Sequence, residues 1–449
     1  MTRLAQLAVI GALLAAAGTA VGEAPDARVV VSDGGLVYDR EYPFIHYSDT
    51  PVHNDIARLQ KRLADGTVKL TRSPQHGYLE SVLAALNIDP DSQTLVFSKT
   101  SLQVDVISET TPRAIYFNDD TYVGWVQKSG LLEIVTMDAD RGPVFYTLSA
   151  AEIEPKLERE NLRCLVCHDS YAEMGGGVPH FLFESTYETH GKNLIPDAVA
   201  REITDQSPVS ERWGGWYVTG EDGGALHLGN IVAPDGRTPV NLEKVRRGSL
   251  PSLAPLVDTT PYLRPTSDIV ALLILEHQVT VHNEIIHANF KSRVLLNREP
   301  SNSDAAALHL SQLPPRLQQR LALMLRPLVD ALLMSNAAPL PSRVVGTSGY
   351  AAWFQGQGLK DPQGRSLRQL DLHSRVFRYP LSFLVYSEGF DALPLCAREQ
   401  VYGQIAASLR SPEAGTAANR PAAADRQAAF EILRATKPEF ARYVGTLTD

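Results

Sequence analysis

Cysteine usage constrains this chain more than any other feature of its sequence. The 449 residues contain three cysteines, and two of them, Cys164 and Cys167, lie in one pentapeptide, Cys-Leu-Val-Cys-His, that ends at His168. Cys396 stands alone at the start of a predicted helix, where we expect a small buried thiol. So few cysteines do not make a disulfide framework. The chain must therefore be stabilised by a hydrophobic core, for which its length is ample.

The N-terminus has the pattern of a secretory signal peptide. Arg3 precedes an apolar run from Leu4 to Ala17, and small residues follow, so that cleavage is predicted near Ala20 or Ala24. A short membrane anchor is the alternative, but the apolar run is short for a span. No later stretch reaches about 18 uninterrupted apolar residues. We therefore predict a periplasmic or otherwise exported protein with no transmembrane span after cleavage.

The charge balance bears on the partners of the protein. The net charge is -9 and the chain has no long basic run. Binding to nucleic acid requires a clustered positive surface, so we expect no nucleic-acid partner. The sequence does not indicate an oligomeric state.

The pentapeptide at Cys164 matches the attachment signature of c-type haem. Two thiols three positions apart can add to the two vinyl groups on one haem edge, and His168 can then ligate the iron. Haem is attached outside the cytoplasm, a condition that the signal peptide meets independently. The alternatives are a redox dithiol, which favours a βαβ context, and a zinc site, which needs four ligands although no second Cys-x-x-Cys exists. We expect one covalent haem c bound by Cys164 and Cys167, with His168 as proximal ligand.

The order of strand and helix patterns predicts an α+β fold, with a β-rich first half and a mostly helical second half. Hairpin turns are predicted at residues 118–120 and 140–142. A helix from Ser149 to Cys164 is expected to run into the cysteine motif, and a long helix is expected over Ser267–Leu296. The predicted division is a signal peptide at 1–24, an α+β haem-bearing domain at 25–240 and a mostly helical domain at 241–449.

The second axial ligand of the iron is open at this stage. His227 is the first choice, because it lies on a predicted strand near an aromatic segment. His277 and His282 come next, because they interrupt an apolar helix in which a polar ring needs a partner. Met174 is a weaker alternative, and any single histidine can equally be an ordinary core or surface residue. Other histidines that qualify by position are His180, His190 and His287.

The segment from Arg212 to Tyr217, Arg-Trp-Gly-Gly-Trp-Tyr, is a second candidate for contact with the cofactor. Its two glycines would allow the backbone to approach a planar group closely, between Trp213 and Trp216. Arg212 could pair with a haem propionate, as arginine does with carboxylates. The alternative is plain aromatic packing at a bend of a sheet.

Several segments together resemble a family of exported bacterial proteins, the cytochrome c domain-containing proteins. The likeness covers nearly the whole chain after the signal peptide, and it rests on the segments LVFSKTSLQ, PRAIYFNDDTYVGWV, CLVCH, RWGGWYVTG, LEHQVTVHN and GRSLRQLDLHSRVFRYPLSFLVYSEGFDALP. The resemblance implies covalent haem at Cys164, Cys167 and His168, and it implies no particular substrate.

The sequence thus predicts a periplasmic monohaem c-type cytochrome that transfers electrons to or from a redox partner protein. A haem-dependent oxidoreductase of peroxidase-like type, or a haem-based ligand sensor, is the alternative, because the chain is much longer than electron transfer alone requires. No set of catalytic residues can be identified. The acidic pair Asp119 and Asp120 is explained by a hairpin turn rather than by acid–base chemistry.

Overall fold

The computed structural model describes residues 42, 44–168, 177–190, 193–232, 240–241, 250–297, 307–411 and 421–446. The predicted signal peptide, with both cleavage positions, and Met174 lie outside these residues. An antiparallel sheet occupies the first half of the chain and helices occupy the C-terminal half. The predicted α+β class is confirmed at this level.

The larger sheet has seven strands, which span β1 Thr94–Val96, β2 Arg113–Phe117, β3 Thr121–Trp125, β4 Leu131–Asp138, β5 Gly142–Ser149, β6 Leu157–Arg159 and β9 Trp216–Tyr217. Strands β1 to β6 form a meander, and β9 pairs with the free edge of β1. The two predicted hairpin turns are confirmed as the β2–β3 and β4–β5 connections. A smaller sheet consists of β7 Glu184–His190, β8 Asn193–Glu202 and β10 Val240–Asn241, with β8 in the middle.

The α-helices of the described residues are α1 Asp55–Ala64, α2 Leu79–Ala85, α3 Leu162–His168, α4 Ile269–Asn297, α5 Pro315–Met324, α6 Arg326–Leu332, α7 Tyr350–Gly356, α8 Glu388–Asp391, α9 Leu395–Arg410, α10 Ala423–Thr436 and α11 Pro438–Thr446. Short 3-10 helices lie at Pro90–Ser92, Val209–Glu211, Leu310–Gln312 and Phe383–Tyr386.

Both faces of the larger sheet are covered. Successive strand residues point to opposite faces, so Leu95 and Tyr116 pack with α1 and α2, whereas Val96 and Phe117 pack with α4 and the C-terminal helices. Burial of both faces explains why β5 is apolar almost throughout rather than alternating. The larger of the two cores contains residues from both predicted domains.

Helix α4 is the central helix of the larger core. It confirms the helix predicted over Ser267–Leu296, and its start is capped by Asp268, whose Oδ1 accepts a hydrogen bond from the backbone N–H of Val270 (2.7 Å). Among the described helices, α4 alone is long and apolar enough to cross a membrane by length and composition. Its most apolar window is 94% buried inside the protein, as a core helix requires.

The helix predicted from Ser149 to Cys164 is wrong. Ser149 ends β5, residues 151–154 form bends, and Leu157–Arg159 form β6. Edge pairing of β6 with β5 buries Leu157 against Leu148, and this tertiary pairing overrides the local helical spacing. The strand patterns at residues 93–108 and 211–232 form less strand than their alternation predicts. Only Thr94–Val96 and Trp216–Tyr217 pair in the larger sheet, and His227 does not lie on a strand.

Candidate functional site

The cysteine motif occupies α3, which follows edge strand β6. Glu160, just before this helix, is hydrogen-bonded to β5 and so positions the start of α3. Its backbone N–H donates to the carbonyl oxygen of Phe145 (2.8 Å), and its carboxylate accepts a hydrogen bond from Thr147 Oγ1 (2.9 Å). Cys164 is half-buried against the larger core, whereas Cys167 is exposed, and both are free thiols. Residues three apart share one side of a helix, so both thiols lie along the same side of α3.

His168 is oriented by a carbonyl group. Its Nδ1 lies 2.9 Å from the carbonyl oxygen of His180, and the backbone N–H of His180 donates to the carbonyl oxygen of His168 (2.9 Å). A carbonyl can only accept, so Nδ1 carries the proton and Nε2 carries the lone pair. No described residue forms a hydrogen bond with Nε2. The Phe145 ring packs against the imidazole at a centroid distance of 4.6 Å.

The electrostatic surroundings keep all three groups of the motif neutral near pH 7. Burial, with Glu160 and Glu133 nearby, raises the pKa of the Cys164 thiol to about 12. Partial desolvation, with Glu184 nearby, also raises the pKa of Cys167, and burial lowers the pKa of His168 to about 4. A reactive redox dithiol requires a thiol with a depressed pKa, which is the opposite shift. A neutral imidazole with an available lone pair is what an iron ligand requires.

These residues fit a covalently attached haem. The donor set consists of two thiols on one side of a helix and one neutral imidazole whose second nitrogen is fixed by a carbonyl, the arrangement common to histidine metal ligands. Val166, between the two cysteines, is 82% exposed and offers an apolar surface beside them. Within the described residues, no group of three or more histidine, cysteine or acidic side chains could hold a bare metal ion.

His180 connects the motif to α4. The residue after it, Phe181, is bracketed by the amide of Asn283, whose Oδ1 accepts from the Phe181 N–H (2.8 Å) and whose Nδ2 donates to the Phe181 carbonyl (3.0 Å). His282 lies beside the Phe181 ring (5.8 Å between centroids), and its Nε2 is 2.8 Å from the carbonyl oxygen of Asp119. The predicted ligand His282 is thus near the motif in space, although its Nε2 is occupied.

The predicted ligand His227 lies in a different cluster. Its Nε2 is 3.4 Å from Asp222 Oδ2, its Nδ1 accepts the N–H of Gly229 (3.0 Å), and its ring meets the Trp213 ring edge-on at 5.1 Å. Both ring nitrogens are therefore engaged, and none of these contacts is with the cysteine motif. Trp213 itself is buried with a left-handed backbone (φ 68°), a conformation that costs energy for a large side chain.

Arg212 is engaged by a buried carboxylate. Its Nη1 donates to Glu276 Oε2 (2.7 Å), and its Nε and Nη2 donate to the carbonyl oxygens of Ser207 and Asp205 (2.8 Å each). Burial raises the pKa of Glu276 to about 7, against the opposing effect of Arg212. Because Glu276 and His287 are eleven positions apart on α4, the Arg212–Glu276 pair lies about 16 Å along the helix axis from His287, at 1.5 Å per residue. The predicted role of Arg212 with a propionate stays a prediction.

His277 is hydrogen-bonded to two side chains, those of Asp205 and Ser382. Its Nδ1 is 3.2 Å from Asp205 Oδ2, and its Nε2 is 2.8 Å from Ser382 Oγ. This order resembles a serine hydrolase relay, but Ser382 is fully buried, and its Oγ also accepts the N–H of Leu384 as the cap of a 3-10 helix. The hydroxyl therefore has a structural role, and His277 is a satisfied core histidine.

Trp216 lies in β9 and packs on the segment that follows His180. Its ring stacks on Phe183 at a centroid distance of 4.6 Å, and its indole N–H donates to the carbonyl oxygen of Glu184 (2.8 Å). The aromatic segment is therefore a packing element between the two sheets. Cys164, Cys167 and His168 lie together on α3. Trp213 instead packs on His227, and Arg212 and His277 both bond Asp205.

Residue spacing in the sequence did not predict two features of this region: the carbonyl of His180 that bonds His168, and the burial of His287 in α4. The carbonyl of His180 is recognisable only once the chain returns to His168. His287 has a weak signal, because it lies four positions after Asn283 and so shares its side of α4. Comparison with protein families, with curated proteins and with solved structures finds no match to this chain.

Proposed function

We propose that this chain is a periplasmic monohaem c-type cytochrome that exchanges electrons with a partner protein. The bond between His168 Nδ1 and the carbonyl oxygen of His180 carries the proposal, because it leaves Nε2 as the ligating atom of a neutral imidazole. Cys164 and Cys167 precede that histidine on the same helix, at the spacing that c-type attachment uses. The resemblance to exported cytochrome c domain-containing proteins agrees with this function.

Each residue has a defined task in this proposal. A bound haem supplies a one-electron iron couple. Cys164 and Cys167 would hold the haem through two thioether bonds, in each of which the thiol would add its sulfur to one vinyl carbon and its hydrogen to the other, so that no oxidant would be consumed. The carbonyl of His180 orients the imidazole of His168 and raises its basicity. The Phe145 ring covers one side of the imidazole and limits the access of water to it.

The attachment is tested by expressing the full chain in a bacterium that matures c-type cytochromes. The periplasmic protein should begin just after Ala20 or Ala24. It should retain one haem per chain after acidic acetone extraction, measured as the pyridine haemochrome. The double variant Cys164→Ser/Cys167→Ser should lose the covalent haem, and the control Cys396→Ser, at a buried cysteine of α9, should retain it. Wild-type protein without covalent haem would refute the proposal.

The electron-transfer role is tested by the coordination of the iron. A six-coordinate, low-spin ferric spectrum with reversible one-electron reduction supports electron transfer. A five-coordinate, high-spin iron that binds carbon monoxide or peroxide readily would contradict it, and would favour a haem-dependent oxidoreductase or a ligand sensor instead.

A further inference from the structure

Helix α4 is joined to the haem-attachment motif through a chain of hydrogen bonds. Asn283 brackets both backbone groups of Phe181, and the preceding residue, His180, forms two hydrogen bonds with His168. Asn283 and His180 are both buried, at 3% and 0% exposure. The position of α4 relative to His168 is thus set by groups whose hydrogen bonds are shielded from water, and such bonds are expensive to break.

One turn beyond Asn283, on the same side of α4, lies His287. Its side chain is 8% exposed, and its buried Nε2 has no hydrogen-bond partner among the described residues. It is also close enough to His180 for the two rings to interact electrostatically. A buried polar nitrogen without a partner is destabilising, so such groups are uncommon and call for an explanation.

Each of the other histidines of the region uses at least one ring nitrogen in a hydrogen bond or ion pair. His227 and His277 use both ring nitrogens in hydrogen bonds or ion pairs. The Nε2 of His282 is 2.8 Å from the carbonyl oxygen of Asp119, which ties this ring to the β2–β3 turn. The Nδ1 of His282 is buried without a hydrogen-bond partner among the described residues, as Nε2 of His287 is, but it is the ring nitrogen nearer the backbone and therefore the more hindered of the two. The side chain of His180 has its Nδ1 3.1 Å from the carbonyl oxygen of Val178, and its carbonyl group already bonds Nδ1 of His168.

We propose that His287, through its Nε2, would be the second protein ligand of a bound haem iron, together with His168. This inference rests on the proposed function, and it assigns bis-histidine coordination to the site. The ligand would come from the central core helix, whereas the covalent attachment lies on a short helix at the edge of the sheet. The two hydrogen bonds between Asn283 and Phe181 would then fix the position of α4 relative to α3, the two helices that carry the ligands.

The test uses the purified full-length holoprotein, with EPR and absorption spectra of the ferric form. Wild-type iron should be low-spin, and His287→Ala should convert essentially all of it to high-spin iron, with low-spin iron restored by added imidazole. His287→Gln, of similar size, should give the same conversion if the alanine variant folds poorly. His227→Ala and His277→Ala are matched controls that should remain low-spin.

The pyridine haemochrome of each variant separates the two possible failures. Covalent haem with unchanged low-spin iron in both His287 variants overturns the ligand assignment and leaves the cytochrome proposal intact. A loss of low-spin iron in His282→Ala but not in His287→Gln overturns it as well. High-spin iron in the wild-type protein overturns both the ligand assignment and the proposed electron-transfer role. Absence of covalent haem from the wild type overturns the proposed function itself.

Discussion

The ion pair between Arg212 and Glu276 offers a quantitative test of the buried electrostatics. The two side chains are 3% and 0% exposed, and one charge-assisted hydrogen bond of 2.7 Å joins them. The folded pKa of Glu276 is about 7, above its ordinary value of 4.5. A carboxyl group with a raised folded pKa contributes stability that is fully present below pH 4.5 and is lost as the pH rises through 7, at about 1.4 kcal/mol per pH unit.

The perturbation is Arg212→Met, alone and combined with Glu276→Leu. The single change removes three hydrogen bonds, worth about 1 kcal/mol each, so the free energy of unfolding should fall by about 3 kcal/mol at pH 6. Without the guanidinium, the pKa of Glu276 rises further, and the loss should reach about 5 kcal/mol at pH 8.5. The double variant has no carboxyl group to ionise, so it should lose about 2 kcal/mol or less at both pH values.

The assay is urea unfolding of wild-type, single-variant and double-variant proteins at pH 6 and pH 8.5, followed by circular dichroism. An equal loss at both pH values for Arg212→Met would refute the argument, and so would a double variant as unstable as the single one at pH 8.5. The same proteins test the predicted propionate contact. If the double variant keeps the haem content and reduction potential of the wild type, Arg212 does not serve a propionate.

Two further substitutions test two features that position α4: the β4–β5 turn and the hydrogen bonds between Asn283 and Phe181. Gly142→Ala should destabilise the protein by about 2–4 kcal/mol in thermal unfolding, because φ is 76° and a Cβ there would lie 2.7 Å from an α4 side chain. Gly130→Ala, at a similar φ with open space around it, should lose only about 1 kcal/mol; equal losses would dismiss the clash with α4. Asn283→Ala should cost about 1–3 kcal/mol by removing both bonds to Phe181 and should raise the high-spin fraction of the iron, whereas Asn289→Ala on the same helix should leave the spin state unchanged.

Local patterns predicted much of the fold. The turns at residues 118–120 and 140–142 and the long helix beginning at Ser267 depend on side chains close in sequence, and the structure confirms all three. The helix predicted from Ser149 to Cys164 is wrong, because pairing of β6 with β5 buries Leu157 against Leu148 and this tertiary contact outweighs the local helical preference. Similarly, Trp216 and Tyr217 join the sheet only because the edge of β1 is available to them.

The sequence alone determined the identity and spacing of Cys164, Cys167 and His168, because haem attachment is a local chemistry that one short segment can specify. Tertiary structure alone decided which nitrogen of His168 carries the proton, since the carbonyl of His180 reaches it only after the chain returns. It also decided which histidine ring nitrogens are engaged and which, Nε2 of His287 and Nδ1 of His282 among them, are buried without a hydrogen-bond partner among the described residues. Hydrogen-bond partners distant in sequence depend on packing, and residue spacing does not encode them.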